Sequence, residues 1–132
     1  MYRMLFATMA LICSTCLAAP CDSVNRDITA ARKAVLAPAI TRQLLRVPSV
    51  EVLRSFRLDQ WSIIYVSTPV SESGFLFYSD DPLSSRYLTI WAGMAWPNEE
   101  DEIRNWALKN VSGIPVQLAA CFAWYVTKNR DR

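Results

Sequence analysis

Cys21 and Cys121 constrain this chain more than any other feature, because they are the two cysteines that remain once an export leader is removed. Met1-Tyr2-Arg3-Met4 is a short basic opening, and Leu5 to Leu17 carries no charge. An apolar run of about a dozen residues suits a secretory signal and falls short of the roughly 20 that a spanning helix needs. Cys16 and Ala18 supply small side chains three residues and one residue before a cut after Ala18. A cut after Ala19 would place Leu17 and Pro20 at unfavourable positions. The expected organisation is therefore a signal peptide over residues 1–18 and a single domain over 19–132. A lipid anchor at Cys21 is not expected, since Pro20 breaks the small-residue pattern such sites need. No stable membrane anchor is expected after cleavage.

Cys13 and Cys16 leave with the leader, so their Cys-x-x-Cys spacing carries no redox reading. In an oxidising compartment Cys21 and Cys121 are expected to pair. A loop of roughly 100 residues closed in this way is worth up to ~4.7 kcal/mol in the chain-entropy account. The alternative is two free buried thiols. The expected location is periplasmic or secreted.

Composition narrows the class further. Hydrophobic residues make up 52% and charged residues 20%, enough for a packed core and unlike a disordered chain. Losing Arg3 leaves 13 basic against 12 acidic groups, a net charge of +1. No clustered basic face is present, so nucleic acid is not an expected partner.

Periodicity orders the domain. Ser23 is read as a helix cap, with Val24, Ile28, Ala31 and Val35 on one helical face. Pro38 is expected to interrupt that helix, and a short second turn carries Ile40, Leu44 and Leu45 as far as Val47-Pro48. Period-two alternation then sets in. Val50, Val52, Phe56 and Leu58 mark a first strand, Asp59-Gln60 a turn, and Trp61 to Thr68 a second strand. Phe75 to Ser79 and Arg86 to Ala95 mark two more, separated by polar loops. Asn98 is read as the cap of a helix carrying Ile103, Trp106, Ala107 and Asn110, stopped near Gly113. Pro115 opens a last helix, apolar on nearly every side and hence buried, to about Lys128. The predicted fold is α+β: an N-terminal helix, a four-stranded antiparallel β-meander, and two C-terminal helices packed on one sheet face. The other face is expected to meet solvent or a partner.

The chemistry available is limited. There is no histidine, which removes the usual general base and His-based zinc sites. Pairing Cys21 with Cys121 removes the thiolate nucleophile. Three glycines, none suitably spaced, make no phosphate loop. No catalytic residue, metal or cofactor is expected. Glu99-Glu100-Asp101-Glu102 reads as charge complementing a helix N-terminus. Glu72, Asp80 and Asp81 lie in the two polar loops between strands, and would form one acidic tip if those loops shared an end of the sheet. Of the five tryptophans most are expected in the core, with Trp96, beside Pro97, the exception. Glu72, Asp80, Asp81 and Trp96 are thus the candidate partner-binding residues.

The expected function is a non-enzymatic exported binding protein acting on a partner protein, as inhibitors and immunity proteins do. The alternatives are an accessory subunit of an envelope or secretion assembly, a small carboxylate-dependent hydrolase, and a carrier of an apolar ligand in a deep aromatic pocket.

Overall fold

Four strands with short connections can pair only with their chain neighbours, and they do so. The computed structural model describes residues 19–130. The leader, its cleavage site, Cys13, Cys16 and the last two residues lie outside the described residues. Helix α1 spans Ala30–Gln43, followed by strands β1 (Glu51–Leu58), β2 (Trp61–Ser67), β3 (Gly74–Tyr78) and β4 (Thr89–Ala92). Helices α2 (Glu100–Asn110) and α3 (Val116–Trp124) follow, and a π-helical stretch over Tyr125–Asn129 continues α3. The sheet runs β1-β2-β3-β4 with every pair antiparallel, which is the expected α+β meander. Asp59 at φ 54° makes the tight turn from Leu58 to Trp61, a conformation Asp tolerates better than most residues.

Cys21 and Cys121 form a disulfide, Cα–Cα 4.6 Å, tying the N-terminal segment to α3. Such a bond belongs to a non-reducing compartment.

Both sheet faces are covered. Helices α2 and α3 lie on one, over Phe56, Ile63, Phe75 and Phe77. Helix α1 lies on the other, setting Leu36 and Ile40 against Val52, Ile64, Leu76 and Tyr78. The expectation of a free second face is corrected accordingly. Strands β2 and β3 are buried on both sides, which explains the unbroken apolar runs Ile63–Val66 and Phe75–Tyr78.

A bulge decides which side chain faces which helix. Simple alternation places Val50, Val52, Phe56 and Leu58 together. Instead Val52 pairs with Val66 while Arg54 pairs with Tyr65, so Leu53 is an extra residue. The phase flips there. Val50 and Val52 face α1, whereas Phe56 and Leu58 face α2 and α3.

The N-terminal helix starts later than the sequence suggested. Ser23 does not cap it. Asn25 instead exchanges two backbone hydrogen bonds of 2.8 Å with Arg57 on the outer edge of β1. Thr29 is the cap, its Oγ1 accepting from the Arg32 N–H at 3.0 Å. Pro38 does not break the helix, and Thr41 donates to the Ala37 carbonyl at 2.7 Å. An interior proline costs about 3 kcal/mol. Leu36 and Ile40, one turn apart and fully covered, contribute about 1.5–3 kcal/mol each and outweigh it. The buried face is therefore Leu36-Ala39-Ile40, and Val35 points to solvent.

Strand β4 is shorter than the predicted 86–95 span. Gly93, at φ 114°, turns the chain away from the sheet. Asn98 is not a cap either. It sits in a single tight turn, Pro97–Glu99, where the Glu99 N–H donates to the Trp96 carbonyl at 2.9 Å and the Glu99 carboxylate accepts from the Trp96 N–H at 3.0 Å. After α2, Ser112-Gly113 makes a turn closed by the Ile114 N–H on the Val111 carbonyl, and Gly113 supplies the required positive φ of 83°.

Candidate functional site

Hairpins of a meander turn at alternate ends of the sheet. The 68–73 loop, with Glu72, therefore sits at one end, and the 79–88 loop, with Asp80 and Asp81, at the other. The condition for a single acidic tip, that the two loops share an end of the sheet, is not met.

At the Asp80–Asp81 end the acids meet bases. Arg32, Arg57 and Asp59 line the same shallow recess. Asp81 accepts from the Leu83 N–H at 2.8 Å and from Arg32 at 3.3 Å. The backbone hydrogen bond first, and the Arg32 charge after it, hold its carboxyl below the ordinary 3.8. Asp81 is thus an ion-paired carboxylate that caps its own loop.

Gln43, the last residue of α1, fixes that loop to the body. Its amide nitrogen donates to the carbonyls of Pro82 (3.1 Å) and Ser85 (3.0 Å), and its amide oxygen accepts from the Tyr78 hydroxyl at 2.7 Å. Both donors and the acceptor are engaged. Burial, with the neighbouring Tyr87, pushes the Tyr78 hydroxyl well above the ordinary tyrosine value, so it stays a donor.

The Glu72 end is chemically different. Gly93 and Met94, which follow β4, return to this end because Ala92 pairs with Gly74. Glu72, Met94 and Arg130 border one recess there. The Arg130 guanidinium hydrogen-bonds to the Tyr65 hydroxyl (3.0 Å) and to the Gly93 carbonyl, and lies over the Tyr65 ring at 5.1 Å. Met94 and Trp96 are each 67% exposed. Trp61, Trp91, Trp106 and Trp124 all pack against the α2–α3 core, so Trp96 is the tryptophan turned outward. The Glu99 hydrogen bond to its own N–H holds its backbone.

Between the two ends, α1 covers only part of its sheet face. An open groove of about 540 Å³ remains beside it. Val66, Gly74, Leu76, Ile90 and Ala92 form its floor, Leu44, Leu45 and Val47 one wall, and Thr68, Ser71 and Glu72 its polar end. A Cβ on Gly74 would stand 3.1 Å from Ile90 Cγ2, so glycine there keeps the floor low. The deep aromatic pocket that a carrier would show is not what lies here: the groove is open and mostly aliphatic.

The acidic run is used locally. Glu99 bonds Trp96, Glu100 pairs with Lys128 at 2.5 Å, and Asp101 pairs with Arg104 at 3.1 Å. Among the described residues no group of three or more His, Cys, Asp or Glu is placed to hold a metal ion. No described helix is long and apolar enough to cross a membrane. Comparison with protein-family models, curated proteins and solved structures found no match.

The sequence reading placed Trp96 outward correctly but missed Gln43, Arg130 and the groove. Glutamine and arginine have no spacing signature. The pairing of Gly74 with Ala92 was the one signal of a low floor, and it needs the register to be seen.

Proposed function

We propose that this chain is an exported, non-enzymatic binding protein, periplasmic or secreted, that docks a partner protein on the end of the sheet carrying Glu72, Met94 and Trp96. The observation that carries the reading is the outward placement of Trp96. Large exposed apolar side chains grouped together mark interaction sites, and tryptophan is the residue most enriched among binding hot spots. Met94 adds an adaptable apolar surface beside it, and Glu72 adds a charge that favours a basic group on the partner. Asp80 and Asp81 lie outside this patch, since their recess already contains its own arginines.

The test is capture from the exported fraction with the disulfide-bonded protein as bait. One soluble partner at a fixed ratio is expected, lost with Trp96→Ala and weakened with Glu72→Lys. A partner held equally well by both variants would overturn the assignment of this surface. A hydrolytic activity abolished by changing Asp80 or Asp81 would overturn the non-enzymatic reading.

A further inference from the structure

The two edges of the sheet are treated differently. The outer edge of β1 is occupied at Arg57 by Asn25, which uses both its N–H and its C=O there. The outer edge of β4 has no strand beside it among the described residues. Proteins usually protect such an edge with charge, proline or a bulge, because unpaired main-chain groups recruit other strands. Strand β4 itself carries none of these devices. From Tyr87 to Pro97 no side chain is charged, and no proline precedes Pro97. The pairing of β3 with β4 runs without a register shift.

The same strand borders the groove. Ile90, 38% exposed, belongs to its floor, and Leu45, 89% exposed, to its wall. An edge offering main-chain hydrogen bonds beside an apolar trough is the geometry that receives an added strand.

We propose that the occupant is a second copy of this chain, with β4 pairing antiparallel to β4 across a two-fold axis perpendicular to the sheet. Three features select a copy of itself. An antiparallel strand pair is self-complementary, so one edge suffices for both partners and the assembly closes as a dimer. The head-to-tail alternative, β4 on β1, would grow without limit, and Asn25 obstructs it. Like charges opposite each other destabilise paired strands, and this segment has none to set against its copy. The axis keeps both α1 helices on one side of the extended eight-stranded sheet. Side chains on the same face then meet, Ile90 near Ile90, and the two grooves merge into one covered channel. Strand β4 has only 4 residues, so the association is weak and concentration-dependent. The inference does not rest on the Trp96 surface and fails or stands separately from it.

Sedimentation velocity on the full chain, with its disulfide formed, tests it up to high micromolar concentration. The expected result is a monomer–dimer equilibrium. Ile90→Lys sets two ammonium groups against each other on the groove floor, and Ile90→Pro removes an outward-facing N–H of the edge. Each should weaken dimerisation by roughly tenfold or more. Val116→Lys, at an exposed apolar site on α3 away from β4, should leave it unchanged. Circular dichroism checks that the variants are folded, and if Ile90→Pro is not, Ile90→Lys at the same exposed site decides. A chain that stays monomeric throughout, or that dimerises equally well with Ile90→Lys, overturns the proposal.

Discussion

The face of the sheet under α2 and α3 and the face under α1 are built from one set of strands to different standards of closure. The first is aromatic and sealed. Phe122 of α3 contacts the rings of Phe75, Phe77, Trp91 and Trp106 at centroid distances of 5.0–6.5 Å, mostly edge to face. The Cys21–Cys121 disulfide lies within it. The second is mostly aliphatic, with Tyr78 and Tyr87 its aromatic side chains, covered by one helix, and open beside β4. The contrast shows where stability and recognition are divided. Ring packing and a covalent link hold the fold on one side, which leaves the other free to expose apolar surface without unfolding.

The largest test of that contrast is Phe122→Ala. Removing a buried phenylalanine that touches four other rings should cost about 3–5 kcal/mol, read by denaturant unfolding. If Ile40→Ala under α1 proves equally or more costly, the division fails. Next is the disulfide. Replacing Cys21 and Cys121 together by serine should cost about 2–4 kcal/mol. Proteolysis should then open the N-terminal segment first. A smaller effect, about 1–3 kcal/mol, is expected for Gln43→Ala, which leaves the carbonyls of Pro82 and Ser85 and the Tyr78 hydroxyl without their partner. Hydrogen exchange should rise across residues 79–88 and not in the 68–73 loop. Thr29→Ala, which removes the α1 cap, should cost about 1 kcal/mol.

The smallest effect is a pH dependence. The Asp81 carboxyl is held below its ordinary value, so its contribution is present above about pH 3.8 and is lost as pH falls through the folded value. The group is exposed and the effect is correspondingly small. Tyr78 acts in the opposite sense. Its raised value gives stability that is present below pH 10 and falls as pH rises beyond it. Asp81→Asn should flatten the acid limb, and Tyr78→Phe the alkaline one.

Much of the architecture was legible along the chain. Alternation and turn residues placed β1, β2 and β3 to within a residue or two, and the apolar run after Pro115 marked α3 as buried. These signals are local, so they survive without knowledge of neighbours. The failures have a common cause. Helix α1 was misphased because Val24, Ile28 and Val35 mimic a helical stripe, while the burial of Leu36 and Ile40 against β2 and β3 determines the face that counts. Pro38 was read as a break because its local cost is visible and the tertiary burial that offsets it is not. The bulge at Leu53 leaves no mark in composition.

The element types, the Cys21–Cys121 pair and the outward Trp96 were legible in the sequence, because each was read from residue chemistry or local pattern. Tertiary structure alone decided that Glu72 stands apart from Asp80 and Asp81, that α1 shields only part of the second face, and that a groove remains beside β4. Which loops share an end, and which strand is left uncovered, depend on how hairpins alternate and where a helix comes to rest. Those are relations between distant segments, and no stretch of the chain contains them.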